Sequence, residues 1–362
     1  MKFGYPGHEF TLDDKIKYFC DFNTDFESGK LEEVSEEWRP LHFAIPKSEN
    51  YLDKNVNGWA LNQNNVSSKD SNLILRASDA EYIEYAGREL VYYGTYYMGS
   101  EVRGKTFYKY GYFEARMRIN SSVGICPAFW LLGKPDHTKA ESVHYEIDIF
   151  ECFAPQKHQL QTSALKHVDR FIDDDKGNYI FAEEEGRFVE LRLVGDAEII
   201  KDENGKVLAK NDKYYTFDGK RYFGKRDTYS GFNTKQFSSQ NWEYFTDEQN
   251  TYFTGFAGDG EFHTYALEWT DSYLMWIFDG IPVVKYNYRA VDESVGNYYE
   301  YICDKEMNII FTCYSGNNIN GITGVPTNCD CEGGVCTKGP AIHTDWKNNA
   351  SLEVDYIVVR EI

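Results

Sequence analysis

The chain has 362 residues, a formal net charge of −20, 42% hydrophobic residues and 17% aromatic residues. So acidic a chain disfavours nucleic acid, whose phosphates need a basic footprint, and disfavours anionic membranes and strongly sulfated polymers. It has no run of 18 apolar residues, so no membrane span is expected, and its length can bury a substantial core in one large domain.

The opening MKFGYPGHEF has no apolar stretch of the signal-peptide kind; a secreted or cell-surface protein read without its signal looks the same. Residues 30–60 are polar and carry Trp38, Pro40, Pro46 and Trp59, which reads as a loop elaboration. Strand-like text follows at 72–77 (NLILRA), 110–119 (YGYFEARMRI), 125–133 (ICPAFWLLG) and 145–153 (YEIDIFECF). Between the first two of these, Tyr92, Tyr93 and Tyr97 form an aromatic run that alternation splits between two faces. RFVELRLVG at 187–195 is a further strand, and residues 196–258 break the rhythm as a second elaboration.

The pattern then resumes at 262–270 (FHTYALEWT), 273–286 (YLMWIFDGIPVVKY), 307–315 (MNIIFTCYS) and 352–362 (LEVDYIVVREI). Asp279-Gly280 joins two apolar runs and predicts a tight hairpin. Trp269 and Trp276 read as core of that hairpin, with a reach of one of them into the cleft left open. In the last segment Leu352, Val354, Tyr356 and Val358 alternate, which predicts one shared face. Helical periodicity is scarce. Many short strands with turn residues between them predict an all-β sandwich, a single domain over 1–362.

Eight cysteines occur. Cys126 and Cys152 lie in apolar strand text and read as buried thiols. Cys329, Cys331 and Cys336 lie in the Gly-rich CDCEGGVC, where a disulfide and a metal site are both open readings.

The chemistry concentrates in EIDIFE at 146–151. Strand parity puts Glu146 and Asp148 on one face and Glu151 on the other. One extra residue in a bulge after Asp148 returns Glu151 to the face of the first two, with Ile147 and Ile149 toward the core and Phe150 at the irregular step. Crowded carboxylates do not all ionise, so one keeps a proton beside an ionised neighbour. That combination is what glycosidic bond cleavage uses. On these six residues alone, a solvated strand face and a divalent-cation site stay open.

The hexapeptide resembles the bulged Glu-x-Asp-x-x-Glu motif of glycoside hydrolase family 16. YGYFEARMRI and PAFWLLG resemble the family's strands flanking the cleft, FHTYALEWT with WIFDG its later hairpin, and VDYIVVRE its closing strand. YYMGSEVRGKTFYKYGYFEARM resembles the segment where the family places a Ser before a basic strand. The resemblance implies a β-jelly-roll sandwich, concanavalin A-like, with a concave cleft and a retaining mechanism. It implies Glu146 as nucleophile, Glu151 as acid/base and Asp148 as the acid between them. It implies Trp130 stacked on a sugar near the cleaved bond, with a core role for this residue in FWLL left open. Arg116, Asn65 and His144 are further expected sugar contacts, with a solvated role for Arg116 and a structural one for His144 left open. Asp355 resembles a family residue near a structural Ca2+, a salt-bridging role being the alternative; no cofactor is expected for catalysis.

The resemblance further implies a monomer acting on a polysaccharide, with β-1,3- or mixed β-1,3/1,4-glucan as first substrate and a β-galactan as the alternative. Hydrolysis and transglycosylation use the same acids. A carbohydrate-binding sandwich without catalysis is the other class, and the three intact acids count against it. Departures fall around the motif: Cys126 stands where many laminarinases have Trp, Cys152-Phe153-Ala154-Pro155 follows the acids, and His158 and His167 stand in the next strand without an adjoining Trp.

Overall fold

The computed structural model describes residues 1–22, 37–40, 63–85, 88–120, 125–134, 141–153, 159–172, 260–287, 303–315 and 351–362, with isolated strands within 183–244 and 331–336. Most of both expected elaborations, together with Cys329 and His158, lies outside the described residues. Of 187–195, short strands appear at Arg187–Phe188 and Arg192–Leu193.

Most of the described residues form a sandwich of two antiparallel sheets, and Ser78–Tyr85 with Arg88–Met98 form a separate two-stranded ladder. In one sheet the strand order is Trp242–Tyr244, Ile281–Asn287, Tyr273–Phe278, His263–Trp269, Gly111–Asn120, Ser351–Arg360, Asn72–Arg76 and Val66–Lys69. A ninth strand, Ile16–Cys20, also pairs with Ser351–Arg360. The other sheet runs Tyr222–Asn233, Gln159–Ile172, Glu141–Phe153, Ile125–Gly133, Met307–Ser315, Ser100–Tyr108 and Trp38–Pro40. The inner faces enclose one core, where Phe113, Leu267, Trp269 and Trp276 of the first sheet meet Phe129, Ile147, Ile149, Phe150 and Phe311 of the second. Phe150 and Tyr265 touch across it at 4.4 Å between ring centroids. Alternation of apolar residues along each strand builds both inner faces.

The hairpin at Asp279-Gly280 forms as expected. Both residues have positive φ, 46° and 70°, the conformation a two-residue turn of matching twist requires. A second, smaller core lies on the outer face of the nine-stranded sheet, where Phe3, Tyr5 and Phe10 of the N-terminal segment cover Tyr112, Ile277, Tyr356 and Val358.

The closing strand corrects one expectation. Leu352 and Val354 face the main core, but Tyr356 and Val358 face the outer one. Asp355 is an extra residue: Val354 pairs with Met117 and Tyr356 with the adjacent Arg116. The bulge flips the alternation, so Ile357 and Val359 take over the inward positions.

Candidate active site

The acids lie on the strand Glu141–Phe153, which is third in the seven-stranded sheet. Its ladder slips where the parity reading placed the slip. Asp148 pairs with Ser163 and Glu151 with Gln161, so two residues, Ile149 and Phe150, oppose Thr162 alone. On the other side Asp148 pairs with Trp130, and Phe150 with Phe129. Ile147, Ile149 and Phe150 are all buried in the core. Glu146, Asp148 and Glu151 therefore share the opposite face.

Asp148 is the most enclosed of the three at 3% exposed. Its pKa is pushed well above the carboxylate range, first by burial and then by the negative charges of Glu151 and Glu146. The shift favours the protonated form, and its carboxyl is in hydrogen-bond contact with that of Glu146. Ser163 donates its hydroxyl to Asp148 from the neighbouring strand. Glu146 is bound from its other side by His167 Nε2 at 2.9 Å. The His167 ring lies against that of His144, with centroids 4.9 Å apart. Glu151 also makes itself felt at Cys126, whose buried thiol is pushed up by burial and then by that carboxylate.

Antiparallel pairing extends the face sideways in rows. One row runs Asn233, Ser163, Asp148, Trp130, Ile310, Arg103, and the next runs Gln161, Glu151, Ala128, Thr312, Glu101. At about 4.8 Å per strand, Arg103 and Glu101 stand roughly 14 Å from the acids. They form an ion pair, and Tyr314 donates its hydroxyl to the same Glu101 carboxylate. Tyr314 also senses the charge of Glu146, so this network reaches back to the acids.

Of the expected site residues, Trp130 and His144 share the acid face. Trp130 pairs with Asp148, and its buried indole nitrogen finds no hydrogen-bond partner among the described residues. It is partly exposed and points away from the core that Phe129 and Leu131 enter. His144 is buried beside His167. Asn65 is buried and donates its amide to the Gly99 carbonyl at 3.3 Å, at the start of the strand that carries Glu101.

Arg116 and Asp355 are corrections. The strand Gly111–Asn120 belongs to the opposite sheet and does not flank the acids, and Arg116 shares its outer face with Glu114 and Arg118. It forms an ion pair there with Asp355. A calcium ion at Asp355 would compete with that guanidinium, and no group of three His, Cys, Asp or Glu suited to a metal occurs among the described residues. Asp355 thus forms the salt bridge that was its alternative role.

Ser163, His167, Glu101, Arg103 and Tyr314 complete the neighbourhood without having been assigned roles from sequence, and Trp276, read as hairpin core, joins them. His167 had a visible signal, being a histidine two strand positions beyond the residue that opposes Glu146. The others depend on strand pairing across the sheet or between sheets. Cys126 and Cys152 are buried free thiols as expected. Cys331 and Cys336 face each other in a two-stranded ladder.

The sequence matches the family model for glycosyl hydrolases family 16 over residues 54–168 and 221–348. No curated protein matches it. Among solved structures, it is similar to a non-specific endo-β-1,3(4)-glucanase, with 16% identity, a TM-score of 0.50, and 97% of this chain and 96% of that chain covered. An endo-β-1,3-glucanase from Pyrococcus furiosus has 16% identity and a TM-score of 0.49, covering 99% and 97%. The κ-carrageenase from Pseudoalteromonas carrageenovora has 16% identity and a TM-score of 0.45, covering 94% and 92%.

Proposed function

This chain belongs to glycosyl hydrolases family 16, and on that premise we propose that it is a retaining endo-hydrolase of a β-linked polysaccharide, with β-1,3- or mixed β-1,3/1,4-glucan as its substrate. The reading rests on the bulge that gathers Glu146, Asp148 and Glu151 on one face with Asp148 buried between charges.

Glu146 attacks the anomeric carbon and forms a covalent glycosyl-enzyme. Glu151 gives its proton to the leaving oxygen, then takes one from the water that releases the sugar. Asp148, protonated, donates to Glu146 and orients it. His167 supports Glu146 from the other side, so the nucleophile has little rotational freedom. Trp130 offers a ring face to the sugar beside the cleaved bond.

Charge supports a neutral polymer. The guanidinium of Arg103 on this face is matched by Glu101, which leaves little attraction for sulfate, and the chain as a whole carries −20. Such a polymer is too large to enter a cell, so we place the enzyme outside it or on its surface, acting as a monomer without a catalytic cofactor.

The test is digestion of laminarin, lichenan, agarose, porphyran, carrageenan and mucin glycans, with sizing of products and NMR of the first anomer released. Intermediate-sized glucan fragments with the β-anomer appearing first support the reading. Initial α-anomer overturns the retaining assignment, and cleavage confined to galactans overturns the glucan assignment.

A further inference from the structure

Trp276 belongs to the sheet opposite the acids, yet its indole Nε1–H donates to the backbone carbonyl of Asp148 at 2.9 Å. The side chain is fully buried in the core between the sheets. The acceptor is no ordinary strand carbonyl. It belongs to the last residue before the ladder slips, where two residues oppose one and regular pairing is interrupted. A buried carbonyl beside such an interruption is disfavoured unless a donor reaches it, and Trp276 supplies one.

The same sheet holds the bulge at a second point. Tyr265, on the strand next to that of Trp276, packs edge-on against Phe150, the inward residue just before Glu151. Both ends of the slip, the Asp148 carbonyl and the Phe150 ring, are thus held from across the core. Without them the strand could relax toward regular alternation, which sends Glu151 to the wrong face.

We infer that Trp276 is a positioning residue for the reaction: through the Asp148 carbonyl it holds the backbone turn that returns Glu151 to the face of Glu146. This rests on the roles proposed above for Glu146 and Glu151.

The chain supplies its own control. Trp269 is also fully buried in this sheet, and its indole donates to the backbone carbonyl of Cys303 at 3.1 Å. Trp269→Phe and Trp276→Phe delete the same groups and differ in the carbonyl they release. The experiment compares thermal unfolding, kcat and KM for both variants, on polymer and on an aryl β-oligosaccharide with a dinitrophenolate leaving group. The two variants are expected to lose similar Tm. Trp276→Phe alone should lose about tenfold to a hundredfold in kcat on polymer at nearly constant KM, the scale of a small misplacement of a reacting group. Its loss in kcat/KM on the aryl substrate, which reports the first step alone, should be much smaller, because that leaving group needs little help from Glu151.

Equal kcat losses on polymer in the two variants, or equal kcat/KM losses of Trp276→Phe on both substrates, overturn the inference. If Trp276→Phe does not fold, Trp276→benzothienylalanine keeps the ring volume without the N–H, and the same comparisons decide. A Glu146→Gln variant measured in parallel separates the two levels. Its inactivity upholds the assigned nucleophile whatever Trp276 does, whereas full activity removes that assignment.

Discussion

Arg116 and Asp355, 239 residues apart in sequence, satisfy each other on the outer face of the nine-stranded sheet. One was expected to touch sugar, the other to neighbour a calcium ion or form a salt bridge, and the pair realises the salt bridge. Side chains exposed to 40% and 30% make such a pair worth little. Arg116→Ala should therefore cost at most about 1 kcal/mol in denaturant unfolding and leave kcat and KM unchanged. A tenfold rise in KM would return Arg116 to the substrate. Whatever response the Tm shows to added calcium should be the same in Asp355→Asn as in the wild type.

Glu146→Gln removes the attacking oxygen while keeping the side chain's shape and its contact with His167. Reducing-sugar release should fall by a factor on the order of 10³ or more, equivalent to about 4 kcal/mol of barrier. Retention of the variant on polymer in affinity electrophoresis should persist. Loss of binding together with activity would point to a folding defect, and retained hydrolysis would remove Glu146 from the nucleophile role.

Glu151→Ala removes the proton donor for the leaving oxygen. Hydrolysis of polymer should drop by roughly 10²- to 10⁴-fold, the range for general acid catalysis. Cleavage of a dinitrophenyl glycoside should fall far less in its first step, and added azide should restore turnover by replacing the activated water. A uniform loss without azide rescue would take the acid/base role away from Glu151.

Asp148 yields a prediction with a sign. Burial and two neighbouring carboxylates raise its folded-state pKa above the unfolded value. The folded protein thus binds this proton more tightly than the unfolded chain. The associated stability is complete below the unfolded pKa, near 3.9, and is lost as pH rises through the folded pKa. Asp148→Asn cannot ionise, yet its amide can donate to Glu146 and accept from Ser163. Its Tm should match the wild type near pH 4 and exceed it progressively at higher pH. Its kcat should fall on the order of 10²-fold. A Tm difference that shrinks with rising pH would contradict a protonated Asp148.

His167 is the test of what lies behind the nucleophile. His167→Phe keeps a ring against His144 and removes the 2.9 Å contact with Glu146. The expected change is a drop in kcat of about tenfold to a hundredfold with little change in KM, partly restored in His167→Gln, which retains a donor. A KM effect alone would make His167 a sugar contact.

The strand parity of EIDIFE shows from the letters alone that Glu151 needs one extra residue to join Glu146 and Asp148, and the ladder contains that residue. The alternation of apolar positions likewise marks the strands 125–133 and 307–315 at the bounds they adopt. Asp279-Gly280 specifies its turn because positive φ is a property of the local backbone. These are short-range facts: a side chain's direction relative to its neighbours follows from the period of the strand.

Which sheet a strand joins is another matter. Gly111–Asn120 and Ile125–Gly133 are neighbours along the chain but lie in opposite sheets, so Arg116 faces outward while Trp130 stands beside Asp148. The extra residue at Asp355 carries no visible signal in LEVDYIVV and reverses the faces of all that follows it. Ser163, His167, Glu101 and Trp276 reach the acids through pairing between distant segments or across the core. Local alternation can say that residues share a face. It cannot say which face meets solvent, or which partner stands opposite, because those follow from how two whole sheets bury their apolar sides against each other.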